Sequence, residues 1–206
     1  TKIPKEIEKA QACVIELAQK AVAKDIIEVN VFGPQYSDLT LVDLPGIVRT
    51  LGKDDDPHLI EDIASLLQDY LENERCVMLA VQPANVDFHN SQILHDAKKY
   101  DPTTRRTFPV ITKPDLIDRG AETSVADLLL GKKMDSFAMG FHMVKCRGQQ
   151  ELNNGVNLVE GLQSEARYFD SQQPWKSLMA EADKKDLFGT NNYIDTTSIF
   201  THMHVL

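Results

Sequence analysis

Two short segments hold residue types whose spacing can do chemistry. The first is Asp43-Leu44-Pro45-Gly46, which follows an apolar run. A carboxylate leaving a buried strand can hold a magnesium-bound water, and a glycine three residues later lets a backbone N–H approach a terminal phosphate with no Cβ in the way. The same four residues also fit an ordinary strand-ending turn. The second segment is Thr112-Lys113-Pro114-Asp115, with Asp118 beyond it. Its carboxylate can accept both the ring N–H and the exocyclic amine of guanine, a donor pair that adenine lacks. The aliphatic stem of Lys113 can cover the base while its ammonium ties the loop together. Each motif alone is only suggestive. Together, in this order, each after an apolar strand and a whole strand-helix unit apart, they favour a nucleotide site over coincidence.

The elements that must position these residues alternate between helical and strand periods, as in an α/β sheet with crossover helices. Apolar residues from Ile3 to Ala21 recur at helical spacing, predicting an amphipathic helix over residues 2–24. Residues 26–32 and 39–43 read as two strands joined through Gly33-Pro34, close enough for a hairpin. Asp56-Pro57 reads as a cap and first helical position for a helix carrying Leu59, Ile63, Leu66, Leu67 and Tyr70 on its apolar face. Residues 76–81 are apolar throughout, as expected of a strand buried on both faces of a parallel sheet. Helices over 90–100 and 124–130 and strands over 107–112 and 141–144 continue the pattern. From Val156 onward the chain reads as helical, with breaks at Gln173-Pro174 and Gly189.

Composition narrows the class. With 206 residues, 42% of them apolar, the chain can build a core. Its 22 Lys and Arg against 31 Asp and Glu leave a net charge of −9, which argues against a nucleic-acid backbone or an acidic lipid surface as partner. No apolar run approaches the roughly 20 residues of a spanning helix, and no signal pattern opens the chain. Cys13, Cys76 and Cys146 show no CxxC spacing, which favours free thiols and a reducing cytoplasmic location, with small buried apolar roles for Cys13 and Cys76. His202-Met203-His204 reads as a solvated chain end, and Asp54-Asp55-Asp56 as charge at a helix N-terminus.

Longer stretches around the two motifs resemble a known family. Residues 39–47 (LTLVDLPGI), 81–87 (VQPANVD), Asp101-Pro102 with Arg106-Thr107, 112–118 (TKPDLID) and 144–151 (VKCRGQQE) are similar to the dynamin superfamily of large GTPases, nearest its Mx-type and classical dynamin branches. The resemblance is dense over residues 6–151 and thinner beyond, where Phe188-Gly189-Thr190-Asn191-Asn192 still fits. It implies a three-layer, P-loop GTPase-like α/β fold with a mostly parallel sheet flanked by helices and a helical C-terminal segment. Residues 1–172 would form a partial GTPase domain and 173–206 the start of a helical stalk.

The same resemblance implies roles. Asp43 and Gly46 match the switch that senses Mg2+, through a bound water, and the γ-phosphate of GTP. Thr112, Lys113, Asp115 and Asp118 match the guanine-reading loop, and Cys146, Arg147 and Gln149 the last base-contacting loop. Asn85 and Asp87, which by themselves are good turn and capping residues, match a loop that reaches a partner's nucleotide across a GTPase-domain dimer. The implied activity is hydrolysis of GTP to GDP coupled to self-assembly, in a membrane-remodelling or antiviral parent protein with possible membrane or microtubule association. One departure is large: no GxxxxGK[ST] occurs, since Gly52-Lys53 and Gly131-Lys132-Lys133 lack its other residues. The phosphate cradle and first switch are expected before residue 1, which would leave the sheet without its P-loop strand and an open slot beside residues 76–81. The alternative is a catalytically inactive module that binds guanine nucleotide or assembles without hydrolysis.

Overall fold

A computed structural model describes residues 3–18, 22, 25–34, 38–47, 50–53, 55–88, 91–132 and 137–180. These fall into two compact units, one within Thr1–Asn73 and one within Glu74–Val205.

The first unit holds two amphipathic helices, α1 (Ile3–Ala18) and α2 (Leu59–Leu71). α2 starts later than Asp56-Pro57 suggests. Asp56 Oδ1 accepts the His58 N–H at 2.8 Å and the Asp56 carbonyl accepts the Leu59 N–H at 3.0 Å, so Asp56 closes a turn and His58 takes the cap position without a side-chain bond. The strands predicted over 26–32 and 39–43 do not form: residues 25–34 and 38–47 are neither strand nor helix. Their apolar side chains stay in solvent, Phe32 at 90% exposure and Leu41 at 65%. β-propensity expresses the fit of a residue to a sheet surface, and an isolated hairpin is marginal in water. Cys13 is exposed rather than buried.

The second unit is built on three parallel strands, β1 (Met78–Pro83), β2 (Thr107–Thr112) and β3 (His142–Val144), in spatial order β1-β2-β3. Register pairs Met78 with Thr107 and Pro83 with Thr112, then Thr112 with Val144. The helices are α3 (Gln92–Tyr100), α4 (Glu122–Leu129), α5 (Gln149–Asn153), α6 (Leu158–Ser171) and α7 (Trp175–Ala180). Parallel strands with crossover helices are the expected architecture. The outer edge of β1 carries no strand among the described residues.

β1 corrects one expectation: it is buried on one face only. Met78, Ala80 and Gln82 are buried while Leu79 and Val81 are 39% and 46% exposed. The apolar run does not by itself reveal which face is covered. On the covered side the core gathers Ile111 and Met143 from the sheet with Leu94 and Ala97 from α3. α3 starts at a built cap, Ser91 Oγ accepting the Leu94 N–H at 3.3 Å. Asn157 and Glu160 form a reciprocal capping box at the start of α6, with bonds of 3.0 and 2.8 Å. The helix break expected at Gln173-Pro174 separates α6 from α7, and the one at Gly189 lies outside the described residues.

The amino end of β2 is fixed by a buried carboxylate. Asp101 accepts from the Thr103 and Thr107 hydroxyls at 3.1 and 2.8 Å and from the Arg105 and Arg106 N–H groups at 3.3 and 3.0 Å. Burial pushes its carboxyl up, but these four bonds outweigh burial and hold it below its ordinary 3.8. The Arg106 guanidinium then ties to the Tyr100 and Cys76 carbonyls at 2.7 and 3.1 Å. The Asp101 and Arg106 stretch noted in the sequence is therefore a brace at the amino end of the sheet.

Candidate functional site

All three strands point their carboxyl ends the same way, and a loop leaves each: residues 84–88 after β1, 113–118 after β2 and 145–148 after β3. This edge is where open parallel sheets place ligands. The register makes the loops neighbours, because Pro83, Thr112 and Val144 lie side by side and the Ala84 N–H bonds the Thr112 carbonyl at 2.7 Å.

The loop after β2 is sharply set. Lys113 adopts φ 56° and ψ 49°, a left-handed conformation uncommon for a residue with a Cβ. Buried Pro114 then opens a single 3-10 turn, Pro114–Leu116, closed by the Leu116 N–H on the Lys113 carbonyl at 3.0 Å. The turn throws Lys113, Asp115 and Asp118 outward, and all three are exposed. Backbone strain of this kind gathers at ligand sites.

In the loop after β3, Cys146 and Gln149 are exposed and Arg147 is half-buried. Arg147 Nη1 donates to the Val156 carbonyl at 2.7 Å, so its guanidinium braces the loop. Gln149 Nε2 donates to Asn153 Oδ1 at 2.9 Å within α5. Although the residue is exposed, the partial burial of its thiol pushes Cys146 up; the charge of Glu165 adds to this, Lys145 and Arg147 oppose it, and Asp115 adds a smaller push. The structure thus brings the Asp115 carboxylate within electrostatic reach of Cys146, joining two segments that lie 31 positions apart. Asp115 and Glu122 likewise add to the burial that pushes the Tyr168 phenol up, against a bond from Trp175.

Asn85 and Asp87 are exposed on the loop after β1. They share a groove of ≈ 200 Å³ with Val86, Phe88, Ile117, Asp118 and Ser124, so Asp118 faces the β1 loop as well as its own.

Asp43 and Gly46 lie in the first unit, both exposed. A Cβ at Gly46 would meet nothing within 4 Å. No group of three His, Cys, Asp or Glu that could hold a metal ion occurs among the described residues. Asp43 offers one carboxylate, and magnesium, which keeps several of its waters, is usually bound by one or two carboxylates together with substrate phosphates. His202 and His204 lie outside the described residues.

Sequence reasoning missed the supports of this site. Glu151 Oε2 accepts the Gly148 N–H at 2.8 Å, and hydrogen bonding and the Lys145 charge hold its carboxyl below its ordinary value. Buried Glu165 accepts the Lys145 N–H at 2.7 Å. The Gly148-x-x-Glu151 spacing is a helix-start signal that could have marked the first. The second had only the i, i+4 spacing of Gly161 and Glu165 on the inward face of α6.

A family profile described as "Dynamin family" matches residues 1–114, and one described as "Dynamin central region" matches residues 124–190. Interferon-induced GTP-binding protein MxE of Danio rerio is 34% identical over 180 residues, which is 87% of this chain and 28% of that protein. Interferon-induced GTP-binding protein Mx of Ctenopharyngodon idella is 35% identical over 87% of this chain and 29% of its own length. Interferon-induced GTP-binding protein Mx1 of Rattus norvegicus is 35% identical over 87% and 27%. The chain spans under a third of the length of these relatives. No helix among the described residues is long and apolar enough to cross a membrane. On both profile matches and these likenesses, the chain belongs to the dynamin family, alongside its Mx-type members.

Proposed function

We propose that the chain carries the base-recognition half of a guanine-nucleotide site, within a dynamin-like protein that hydrolyses GTP to GDP and self-assembles through its GTPase region. The observation that carries this reading is the side-by-side emergence of the 113–118 and 145–148 loops from the paired positions Thr112 and Val144. Asp115 accepts the ring N–H and exocyclic amine of guanine, and adenine, which offers an acceptor there and no second amine, is rejected. The Lys113 stem lies along the base. Cys146 and Gln149 line the opposite rim, and Asp118 steadies the turn between the loops. Asn85 and Asp87 face a second copy of the chain at the nucleotide.

Phosphate binding is a separate matter. None of the 206 residues forms GxxxxGK[ST], and Asp43 with Gly46 provides one carboxylate and one glycine N–H for the γ-phosphate side. A magnesium ion near Asp43 would be held mainly by phosphate and water oxygens, as is usual for this ion. Preorganised charge around the phosphates is the main source of rate in phosphoryl transfer. That favours the second reading for these residues alone: they bind guanine nucleotide without hydrolysing it. Residues 1–172 then belong to the GTPase region and 173–206 lead towards a helical stalk, a division supported by the helix break after α6. Three unpaired cysteines support a cytoplasmic setting. Antiviral or membrane-remodelling action, and any membrane or microtubule partner, belong to the parent protein's class.

Saturation-transfer NMR of the 206-residue chain with GMP and AMP tests the reading. Transfer to GMP that exceeds AMP and vanishes in Asp115→Ala supports it. Equal transfer to both nucleotides overturns it.

A further inference from the structure

Beneath the loop that follows β3 lies a carboxylate that no motif accounts for. Glu165, on α6, is 7% exposed, and its Oε1 accepts the Lys145 N–H at 2.7 Å. A buried carboxylate is costly unless it is hydrogen-bonded, so this bond is part of why the side chain is tolerated there. Its position is telling. Lys145 directly follows Val144, the last residue of β3, and directly precedes Cys146. One bond therefore sets the peptide from which the whole loop departs.

Further contacts from the same side act on the same loop. Ser164 Oγ, one residue before Glu165, reaches Glu151 Oε1 at 3.5 Å, and Glu151 Oε2 in turn holds the Gly148 N–H. The Lys145 ammonium lies 3.8 Å from Glu151 and 6.0 Å from the Tyr168 ring centroid. Arg147 lies across Gly161, one turn before Glu165, with its Cγ at 2.7 Å from where a Cβ would stand. Residues 145–148 thus rest on α6 while Cys146 remains exposed.

We infer that Glu165 is a positioning residue: without touching nucleotide, its carboxylate on α6 fixes the Val144-Lys145 peptide and so sets the loop after β3 at the height where it meets a guanine base held by Asp115. The inference rests on the base-recognition reading above.

The test uses the 206-residue chain with two substitutions. Glu165→Gln keeps an acceptor oxygen, whereas Glu165→Leu fills the same space without one. Two quantities are read: amide hydrogen exchange at Lys145, Cys146 and Arg147, and GMP binding by saturation transfer. In Glu165→Leu both exchange at these amides and the GMP dissociation constant rise about tenfold, the scale of one lost hydrogen bond to a charged group, while Glu165→Gln stays within about twofold. A folded Glu165→Leu protein with unchanged exchange and unchanged binding overturns the inference, as does equal damage by both substitutions. If Glu165→Leu does not fold, the Lys145 amide of the parent chain decides: protection supports the bond, and exchange at the rate of an open amide overturns it. If GMP does not bind the parent while the exchange pattern is as expected, the positioning of the loop stands and the nucleotide reading falls.

Discussion

Arg147 lies against the one place on α6 where the helix has no side chain. A Cβ built on Gly161 would stand 2.7 Å from Arg147 Cγ and 2.8 Å from Cδ, and the guanidinium beyond continues to the Val156 carbonyl. Glycine inside a helix ordinarily costs about 1 kcal/mol relative to alanine. Here the missing methyl makes room for the arginine stem.

Gly161→Ala should therefore destabilise the chain despite its gain in helix propensity. Overpacking of about 1–3 kcal/mol exceeds that gain of about 1 kcal/mol. In an Arg147→Ala background the sign should reverse, because the obstructed atoms are gone. Urea unfolding followed by the fluorescence of Trp175, the sole tryptophan and 1% exposed, measures both arms. Stabilisation by Gly161→Ala in the parent background would contradict the packing described.

Asp101 makes the chain sensitive to acid. Its carboxyl is depressed when folded, so its contribution is complete above the unfolded value of 3.8 and is lost as pH falls through the lower folded value. Asp101→Asn should cost about 2–3 kcal/mol at pH 7, since the amide cannot accept from all four donors. The gap to the parent should narrow below pH 4. A constant gap across acid pH would show that the carboxylate charge is irrelevant.

Glu165 has the opposite sign. Burial pushes its carboxyl above the ordinary 4.5, outweighing the Lys145 N–H and ammonium that pull it down. A raised folded value favours the fold below the unfolded value, and the benefit is lost as pH rises through the folded one. Glu165→Gln, neutral throughout, should gain stability relative to the parent at pH 7 and lose that advantage towards pH 4. Thermal unfolding at several pH values checks the trend, and an advantage that grows in acid would refute it.

The parts of this fold legible in sequence were those set by local chemistry. The strand over 107–112 was readable to the residue, and α3 began within two residues of expectation, with Ser91 as its cap in the folded chain. Residues 26–32 and 39–43 carry the same apolar alternation, yet no strand forms there, because a strand exists only through a partner and alternation does not name one. The site divides similarly. Lys113 and Asp115 are found by spacing, since one turn fixes both. Glu165 and Gly161 act on Lys145 and Arg147 from 20 and 14 positions away, a relation only the folded chain displays.

Asp115 offers the sharpest test of what the site reads. Its two oxygens match two donors on guanine, and xanthine replaces one of those donors with a carbonyl. Asp115→Asn presents one oxygen and one amide N–H, which suits xanthine and places a donor against the guanine amine. The variant should bind GMP more weakly, by on the order of 2–4 kcal/mol, as for truncating one partner of a desolvated charged pair. It should also reverse the preference to XMP over GMP. Stability should change little, because Asp115 is exposed on a turn held by Pro114 and the Lys113 carbonyl. Competition of GMP and XMP in saturation-transfer NMR gives the ratio directly. An unchanged ratio in a folded variant would reduce residues 112–115 to a turn, and the left-handed Lys113 would then need another explanation.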